Sequence, residues 1–321
     1  MPATWTTSQI TSQLLRSGLS WSGSTITYSF PTVAPSWSFY SGGEGPGFSA
    51  LTTAQRDAAV LAISLWDDLI APDFVQVSSG GSVTFQNTTS GIGYAHAYYP
   101  GTASGSGSVW FNSTYNSTSG TNDLVTPKIG AWGFLTYVHE LGHALGLSHP
   151  GNYNGGSPTY GTDALYAQDS IMYTVMSYFD AINTGADWIA SNGKEYFPQT
   201  PMLHDIMAIQ ARYGAETTTR TDNTTYGFNA TTGGPIYDFA VNLHPILAIW
   251  DSAGIDTLDL SGFTTSSRID LNPGTYSDCD GMTFNIAIAY NCFIENAIGG
   301  NAADSITGNI LGNLLVGNGG N

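Results

Sequence analysis

The stretch Thr136-Tyr-Val-His139-Glu140-Leu-Gly-His143-Ala-Leu-Gly146-Leu-Ser-His149-Pro150 constrains this chain more than any other. His139 and His143 are four residues apart, so on a helix they project from one face, about a turn from each other. Two imidazoles placed that way can grip one zinc ion. Glu140 lies about 100° further round the helix. It is a poor ligand in line with both histidines but can reach a water on the metal. Gly146 can take the left-handed conformation that ends a helix and turns the chain. The turn predicts His149 folding back as a third ligand, and Pro150 keeps the helix from continuing. Three neutral imidazoles leave zinc its double charge and an open position, as a catalytic site needs and a closed structural site does not. Such an ion acidifies its water and polarises a carbonyl. Glu140 is placed to take that water's proton and pass it to a leaving amine. The remaining histidines, His96, His204 and His244, show no comparable spacing and read as surface or packing residues.

The pattern His139-Glu140-x-x-His143-x-x-Gly146-x-x-His149 is the metzincin zinc signature. With His149-Pro150-Gly151, Tyr166-Ala-Gln-Asp169-Ser170 and Val175-Met176-Ser177-Tyr178, the chain resembles the serralysin branch of secreted bacterial metalloproteases. The likeness runs from about Gly23 to the C-terminus. It implies an α+β catalytic domain of mixed sheet and helices over residues 1–214, then an all-β parallel β-roll domain over 215–321. It implies that Met176 lies beneath the zinc in a Met-turn and that Tyr178 can ligate the ion. Tyr178 would also stabilise the oxyanion formed when a peptide carbonyl is attacked. Gly93-Tyr94-Ala95-His96 opens a strand candidate running to Tyr99, placed where the family puts the sheet edge that pairs with an extended substrate. Strand addition is the expected role; an ordinary sheet strand is the alternative.

Composition limits the partners. Of 321 residues only 10% are charged, yet seven basic against 24 acidic residues leave a net charge of −17. Nucleic acid and anionic membranes both call for cationic surface, so neither is expected. Clustered Asp with abundant Gly suits calcium. No apolar run is long enough to span a bilayer. Met1-Pro-Ala-Thr-Trp lacks the basic and apolar regions of a secretory signal; the family is exported by a C-terminal signal instead, so an extracellular bacterial location is still implied. Protein or peptide substrates are the implied partners, a proteinaceous inhibitor is a further one, and a monomer is expected. The two cysteines, Cys279 and Cys292, could pair in an exported protein or stay free, and spacing does not choose.

Periodicity sketches the elements. Helices are predicted over Thr6–Ser17, Leu51–Ile70 (with Thr52 and Gln55 at capping-box spacing), Ile129–Leu145 and Pro201–Tyr213, the last stopped by Gly214. Strands are predicted at 25–30, 74–77, 82–85, 93–99 and 108–111. Beyond Ala215 the character changes to short apolar segments at 246–250, 256–260, 268–271 and 284–289, with no long helix.

The tail is repetitive. Gly299-Gly-Asn301-Ala-Ala-Asp304-Ser-Ile306-Thr resembles the calcium-binding nonapeptide with glycines, an aspartate and one inward apolar residue. Gly308-Asn309-Ile-Leu-Gly-Asn313-Leu-Leu315 is a weaker copy, and Gly317–Asn321 begins a third. Such turns offer calcium the oxygen ligands it prefers, here from Gly299, Asn301 and Asp304. The family resemblance adds an earlier calcium set: Arg220, Asp222, Thr224, Asp251, Ala253, Gly254, Asp256, Phe293 and Glu295. The turn-chemistry reading of Asp251 and Asp256 stands beside it. The family carries further repeats, so this reading expects a truncated chain.

Two rivals to a zinc endopeptidase are a hydrolase using the same zinc-activated water on a non-protein amide or ester, and a calcium-dependent interaction module with a vestigial metal site. A Met-turn and a peptide-binding edge oppose the first. An intact Glu140 opposes the second.

Overall fold

The computed structural model describes residues 2–39, 42–117 and 120–320. Asn321, which would close the third repeat's opening, lies outside them. The chain forms two compact units, Thr6–Pro150 with Ala208–Ala215, and Met1–Trp5 with Gly151–Met207 and Glu216–Asn321.

The first unit opens with α1 (Thr7–Leu14), which begins at a capping box formed by Thr6 and Gln9. Its apolar side buries Ile10 and Leu14, while Leu15, at the C-cap, is half-buried. β1 (Thr25–Ser29) follows, then α2 (Thr53–Asp67). The Thr52–Gln55 capping box forms as the sequence predicts, with Gln55 N donating to Thr52 Oγ1 at 3.3 Å and Thr52 N to Gln55 Oε1 at 3.0 Å. β2 (Asp73–Gln76), β3 (Val83–Thr88), β4 (Ala95–Ala97) and β5 (Ser108–Asn112) join β1 in a five-stranded sheet of order β2-β1-β3-β5-β4. All pairings are parallel except β4 with β5, which leaves β4 as an antiparallel edge. The predicted strand over 93–99 is therefore shorter, because only Ala95–Ala97 stays in register with Phe111–Val109.

α3 (Trp132–Ala144) packs on α2 and β5. Trp66 Nε1 donates to Val138 O at 3.1 Å, and Tyr137 stacks on Phe111 with centroids 4.0 Å apart. The helix starts three residues later than predicted because Gly130 sits at φ +79 and breaks the helical path. No side chain caps its start; Gly133 N instead donates to Thr121 O at 2.8 Å. This is a backbone approach so close that a Cβ on Gly133 would meet Asp123 O at 2.0 Å.

The second unit contains the short α4 (Tyr160–Asp163) and the first residues of α5 (Leu203–Tyr213), whose last residues belong to the first unit. Gly214, at φ +82, ends α5 as expected. Then come β6 (Thr225–Gly227), β7 (Leu247–Ile249), β8 (Thr257–Asp259), β9 (Arg268–Asp270), β10 (Tyr276–Ser277), β11 (Ile286–Ile288), β12 (Asn296–Ile298), β13 (Ser305–Thr307) and β14 (Leu314–Val316). β14-β12-β8-β6 form one parallel sheet, and β13 pairs in parallel with β9. Asn296 pairs with Leu314, so one full turn takes 314 − 296 = 18 residues, or two nonapeptides. This is the parallel roll the repeats imply. β6, β10 and β12 escaped sequence reading because two or three residues carry no measurable alternation.

Each repeat closes on itself in the same way. Gly300 N donates to Asp304 Oδ2 at 2.6 Å, and Asn309 N donates to Asn313 Oδ1 at 2.8 Å. Asparagine thus replaces aspartate in the turn without loss of that bond. The apolar positions differ from expectation. Ile306 is half-buried, and Leu315 is 42% exposed on the last strand, which has no neighbour beyond it among the described residues. Cys279 and Cys292 are both free and buried, bonded to Asn285 Nδ2 and Asp251 N respectively.

His204 stands in the second unit as a packing residue. It is buried, stacked on Tyr173 at 4.8 Å, and its Nδ1 has no partner among the described residues. Burial pushes its pKa down to about 3. The unfolded chain protonates this imidazole as pH falls through 6.5, whereas the folded chain holds it neutral until about 3. Between those values the unfolded state binds the extra proton, so stability is lost as pH falls, by roughly 2–3 kcal/mol at pH 4.5. Urea titrations at pH 7 and 4.5 are expected to show this loss, and His204→Gln to reduce it. An equal loss in both proteins would contradict this account.

Candidate metal centre

α3 supplies a rigid floor. Residues 133–138 and 140–144 are buried, and His139 is half-buried on the helix face. The helix ends as spacing predicts. Gly146 takes φ +105, and Leu147 N bonds back to Gly142 O at 2.9 Å, which turns the chain so that His149 faces the helix. A side chain at 146 would be strained by its φ and would meet Leu19 O at 2.3 Å.

The three imidazoles converge. His143 Nε2 lies 2.9 Å from His149 Nε2, which lies 3.3 Å from His139 Nε2. All three ligand atoms fall within 4.8 Å of one another, the single such cluster of His, Cys, Asp and Glu among the described residues. His143 Nδ1 sits 2.7 Å from Leu147 O. That carbonyl can only accept, so Nδ1 carries the proton and the Nε2 lone pair points into the cluster. Burial and the two neighbouring imidazoles push the His143 pKa well down, so the neutral, ligating form is favoured. Nitrogen atoms this close, with at least one lone pair aimed inward, suit a divalent cation at their centre. Imidazole is a preferred donor for zinc, and three protein ligands with one open position form a catalytic set.

Glu140 is buried beside this cluster, and its Oε2 has no partner among the described residues. Burial pushes its carboxyl up to about 8. A cation next to it would draw it back down by favouring the carboxylate. A carboxyl whose proton affinity sits near neutrality suits proton transfer.

The Met-turn is built within its own unit. Met176 is fully buried, and its N–H donates to Thr174 Oγ1 at 3.1 Å. Tyr178 is half-buried, packed on Tyr153 at 4.8 Å, and its hydroxyl accepts from Gly155 N at 3.3 Å. Two acids that sequence reading left without a role support this turn. Asp169 Oδ1 accepts from Tyr153 and Ser177 hydroxyls, both at 2.7 Å. Asp205 accepts from Thr174 Oγ1 at 2.5 Å, Val175 N at 2.7 Å and Met202 N at 2.8 Å. The Asp205 position in the first helical turn of α5, three residues after Met202, was the available signal, since an acid there reaches back to the cap.

On the sheet edge, Gly93 and Tyr94 precede β4 and bond through their carbonyls to Asn112, at 2.9 Å and 2.8 Å. Ala95 and His96 lie in β4, and His96 Nε2 is 3.0 Å from the buried Glu44 carboxylate.

The acidic residues of the second unit gather in part. Asp256 Oδ1 accepts from Thr224 N at 2.7 Å, and Asp256 N donates to Glu295 Oε2 at 2.8 Å. Asp251 Oδ1 accepts from Ala253 N at 3.0 Å, and its Oδ2 from Tyr226 at 2.6 Å. A Cβ on Gly254 would meet both Asp222 O and Asp256 Oδ1 at 2.7 Å, so these groups line one small space. Burial, with the Asp251 and Glu295 carboxylates adding to it, pushes the Asp256 carboxyl up to about 7. Arg220 Nη2 donates to Trp250 O at 2.7 Å, and Arg220 takes φ +47. Phe293 is half-buried. In the repeat, Asp304 Oδ1 accepts from Ser267 N at 2.8 Å, a Cβ on Gly299 would meet Asp304 Oδ2 at 2.4 Å, and Asn301 is exposed.

Parallel strands with one antiparallel edge, and a helix and the turn after it that together carry three converging imidazoles, define a protein with a mononuclear histidine metal centre. Residues 53–157 match the family model described as matrixin, and residues 215–320 that described as peptidase M10 serralysin C terminal. Over 97% of its length the chain is 41% identical to Metalloprotease AprA of Pseudomonas entomophila (strain L48), covering 65% of that protein. It is 39% identical to Metallopeptidase AprA of Pseudomonas marginalis, over 97% of this chain and 67% of the relative. Serralysin C of Dickeya chrysanthemi is 38% identical over 92% of this chain and 62% of its own. The chain thus spans about two thirds of the length of the curated relatives it matches. It belongs to the serralysin-type metzincins. No helix among the described residues is long and apolar enough to cross a membrane.

Proposed function

We infer that the protein is a zinc-dependent endopeptidase that acts on extracellular proteins. The observation that carries this reading is the convergence of the His139, His143 and His149 Nε2 atoms beside a buried Glu140 with one unpartnered oxygen. These three residues would hold the ion. A zinc ion held there supplies a Lewis acid for the peptide carbonyl and acidifies a water. Glu140 takes the proton of the attacking water and delivers it to the departing amine. Tyr178 is assigned a place in the metal sphere and on the oxyanion, and Met176 the support beneath the site. Family membership supports both roles. The outer edge of β4, which pairs with no strand among the described residues, would offer main-chain groups to an extended peptide, with Gly93, Tyr94, Ala95 and His96 in the pairing segment. Residues 1–214 are assigned as the catalytic domain and 215–321 as the calcium domain, a boundary supported by the C-terminal family match. Secretion is inferred from the family.

The test is an unfolded protein substrate with calcium present. Cuts at internal peptide bonds that cease under a zinc chelator are expected. Hydrolysis of a small ester or amide with the protein left intact would favour the rival hydrolase.

Calcium is assigned to Asp251, Asp256 and Glu295 with Thr224 and the backbone oxygens of Arg220, Asp222, Ala253, Gly254 and Phe293, and to Gly299, Asn301 and Asp304 in the repeat. Close carboxylates repel, and a bound cation relieves them. Calcium at a hundred times its Kd is expected to stabilise the protein by about 2–3 kcal/mol. Because the cation must displace a proton from a carboxyl at about 7, the effect should shrink as pH falls below that value. Calorimetry with and without calcium at pH 8 and 5.5 checks this, and Asp256→Asn should reduce the gain at both. A gain that Asp256→Asn leaves whole would contradict the assignment.

A further inference from the structure

The turn that carries His149 is held by a segment more than a hundred residues away in sequence. Ser17 Oγ donates to Gly146 O at 2.6 Å. Ser148 N donates to Leu14 O at 2.7 Å. The Arg16 guanidinium donates to His149 O, and Gln13 Nε2 donates to Pro150 O at 2.9 Å. Leu147 O meets His143 Nδ1 instead. A helix that ends on a left-handed glycine leaves the carbonyls that follow without helical partners. Here Gln13, on α1, and Arg16 and Ser17, just after it, supply donors to three of them, Pro150 O, His149 O and Gly146 O.

This matters because the three imidazoles are not equally supported. His139 and His143 stand on a buried helix. His149 stands on a turn, and the position of its ring follows from the backbone around it. We propose that Gln13, Arg16 and Ser17 are positioning residues for the metal centre. They act through the backbone of residues 146–150, hold the third imidazole in ligating geometry, and set how long the ion stays bound. The inference rests on the zinc reading above. It does not rest on α1 as a packing element. The apolar anchors of that helix are Ile10 and Leu14, at 1% and 0% exposure, whereas Arg16 is exposed and bonds carbonyls.

The test compares the wild-type protein with the triple variant Gln13→Ala, Arg16→Ala, Ser17→Ala. Two readouts are used: the rate of zinc loss to excess chelator, and the visible spectrum of the cobalt(II)-loaded protein, which reports ligand geometry. Groups that orient metal ligands typically change affinity by about 10–100-fold, and zinc loss from the triple variant should be faster by that order, with an altered cobalt spectrum. Restoring a donor as Arg16→Lys in place of Arg16→Ala should slow the loss again. Ser12→Ala, on the same helix with its hydroxyl bonded to Ser8 O, should match wild type. Should the triple variant not fold, Gln13→Glu carries the test, since it keeps the side chain's size and turns a donor into a group repelled by Pro150 O. Wild-type rates and spectra in the variants would overturn the inference and leave the zinc reading standing. A wild-type protein that binds no zinc would overturn both.

Discussion

Glu140→Ala is expected to lower kcat/KM for peptide cleavage by about 10²–10⁴-fold while zinc remains bound at the wild-type level. The expectation follows from position. Glu140 sits one residue from His139 on α3, buried, with Oε2 unpartnered and its carboxyl pushed up to about 8 by burial. It is not one of the three converging ligand atoms, so its removal should spare metal binding. Steady-state kinetics with metal analysis on the same samples separates the cases. Loss of zinc together with rate would make Glu140 a structural support of the site. An unchanged rate would remove it from the mechanism.

The second large effect falls on stability. Asp205→Ala is expected to destabilise the fold by about 3–5 kcal/mol, because three buried donors lose their acceptor at once. Thr174 Oγ1, Val175 N and Met202 N all point at this carboxylate. Burial pushes the carboxyl up to about 7, and the three donors pull the other way by favouring the ionised form. The residue ties the Met-turn to the start of α5, so its loss should also loosen residues 174–178. Urea unfolding of wild type and variant at pH 8 gives the difference, and hydrogen exchange of the Val175 and Met202 amides locates it. A change under 1 kcal/mol, the scale of one ordinary net hydrogen bond, would contradict the account.

What could be read in the sequence was what depends on local spacing. The imidazole convergence follows from an i, i+4 pair plus one glycine. The capping box at Thr52 and the stop at Gly214 are equally local, and the nine-residue period of the tail reappears as 18 residues per turn of the roll. What could not be read depends on contacts that spacing does not encode. The N-terminal segment reads as a short helix and no more, yet three of its side chains and one of its carbonyls bond backbone groups of the turn of His149, and backbone groups are the same in every sequence. The start of α3 was misplaced because a left-handed Gly130 looks like any other glycine in a sequence. Glu44, fully buried against Tyr98 and His96, lies in a loop whose Gly/Ser/Pro composition conceals a carboxylate. Asp205 looks like an ordinary first-turn acid until the Met-turn is folded beside it.

The measurement that tests the central claim most directly is a zinc titration of metal-free protein, with calcium held constant and cleavage of an unfolded protein as the readout. Activity should rise in proportion to zinc and level off at one equivalent, and the same titration of His143→Ala should produce neither tight binding nor cleavage. Full cleavage by the metal-free protein, or undiminished zinc-dependent cleavage by His143→Ala, would contradict the assignment of His139, His143 and His149 as the centre of the chemistry.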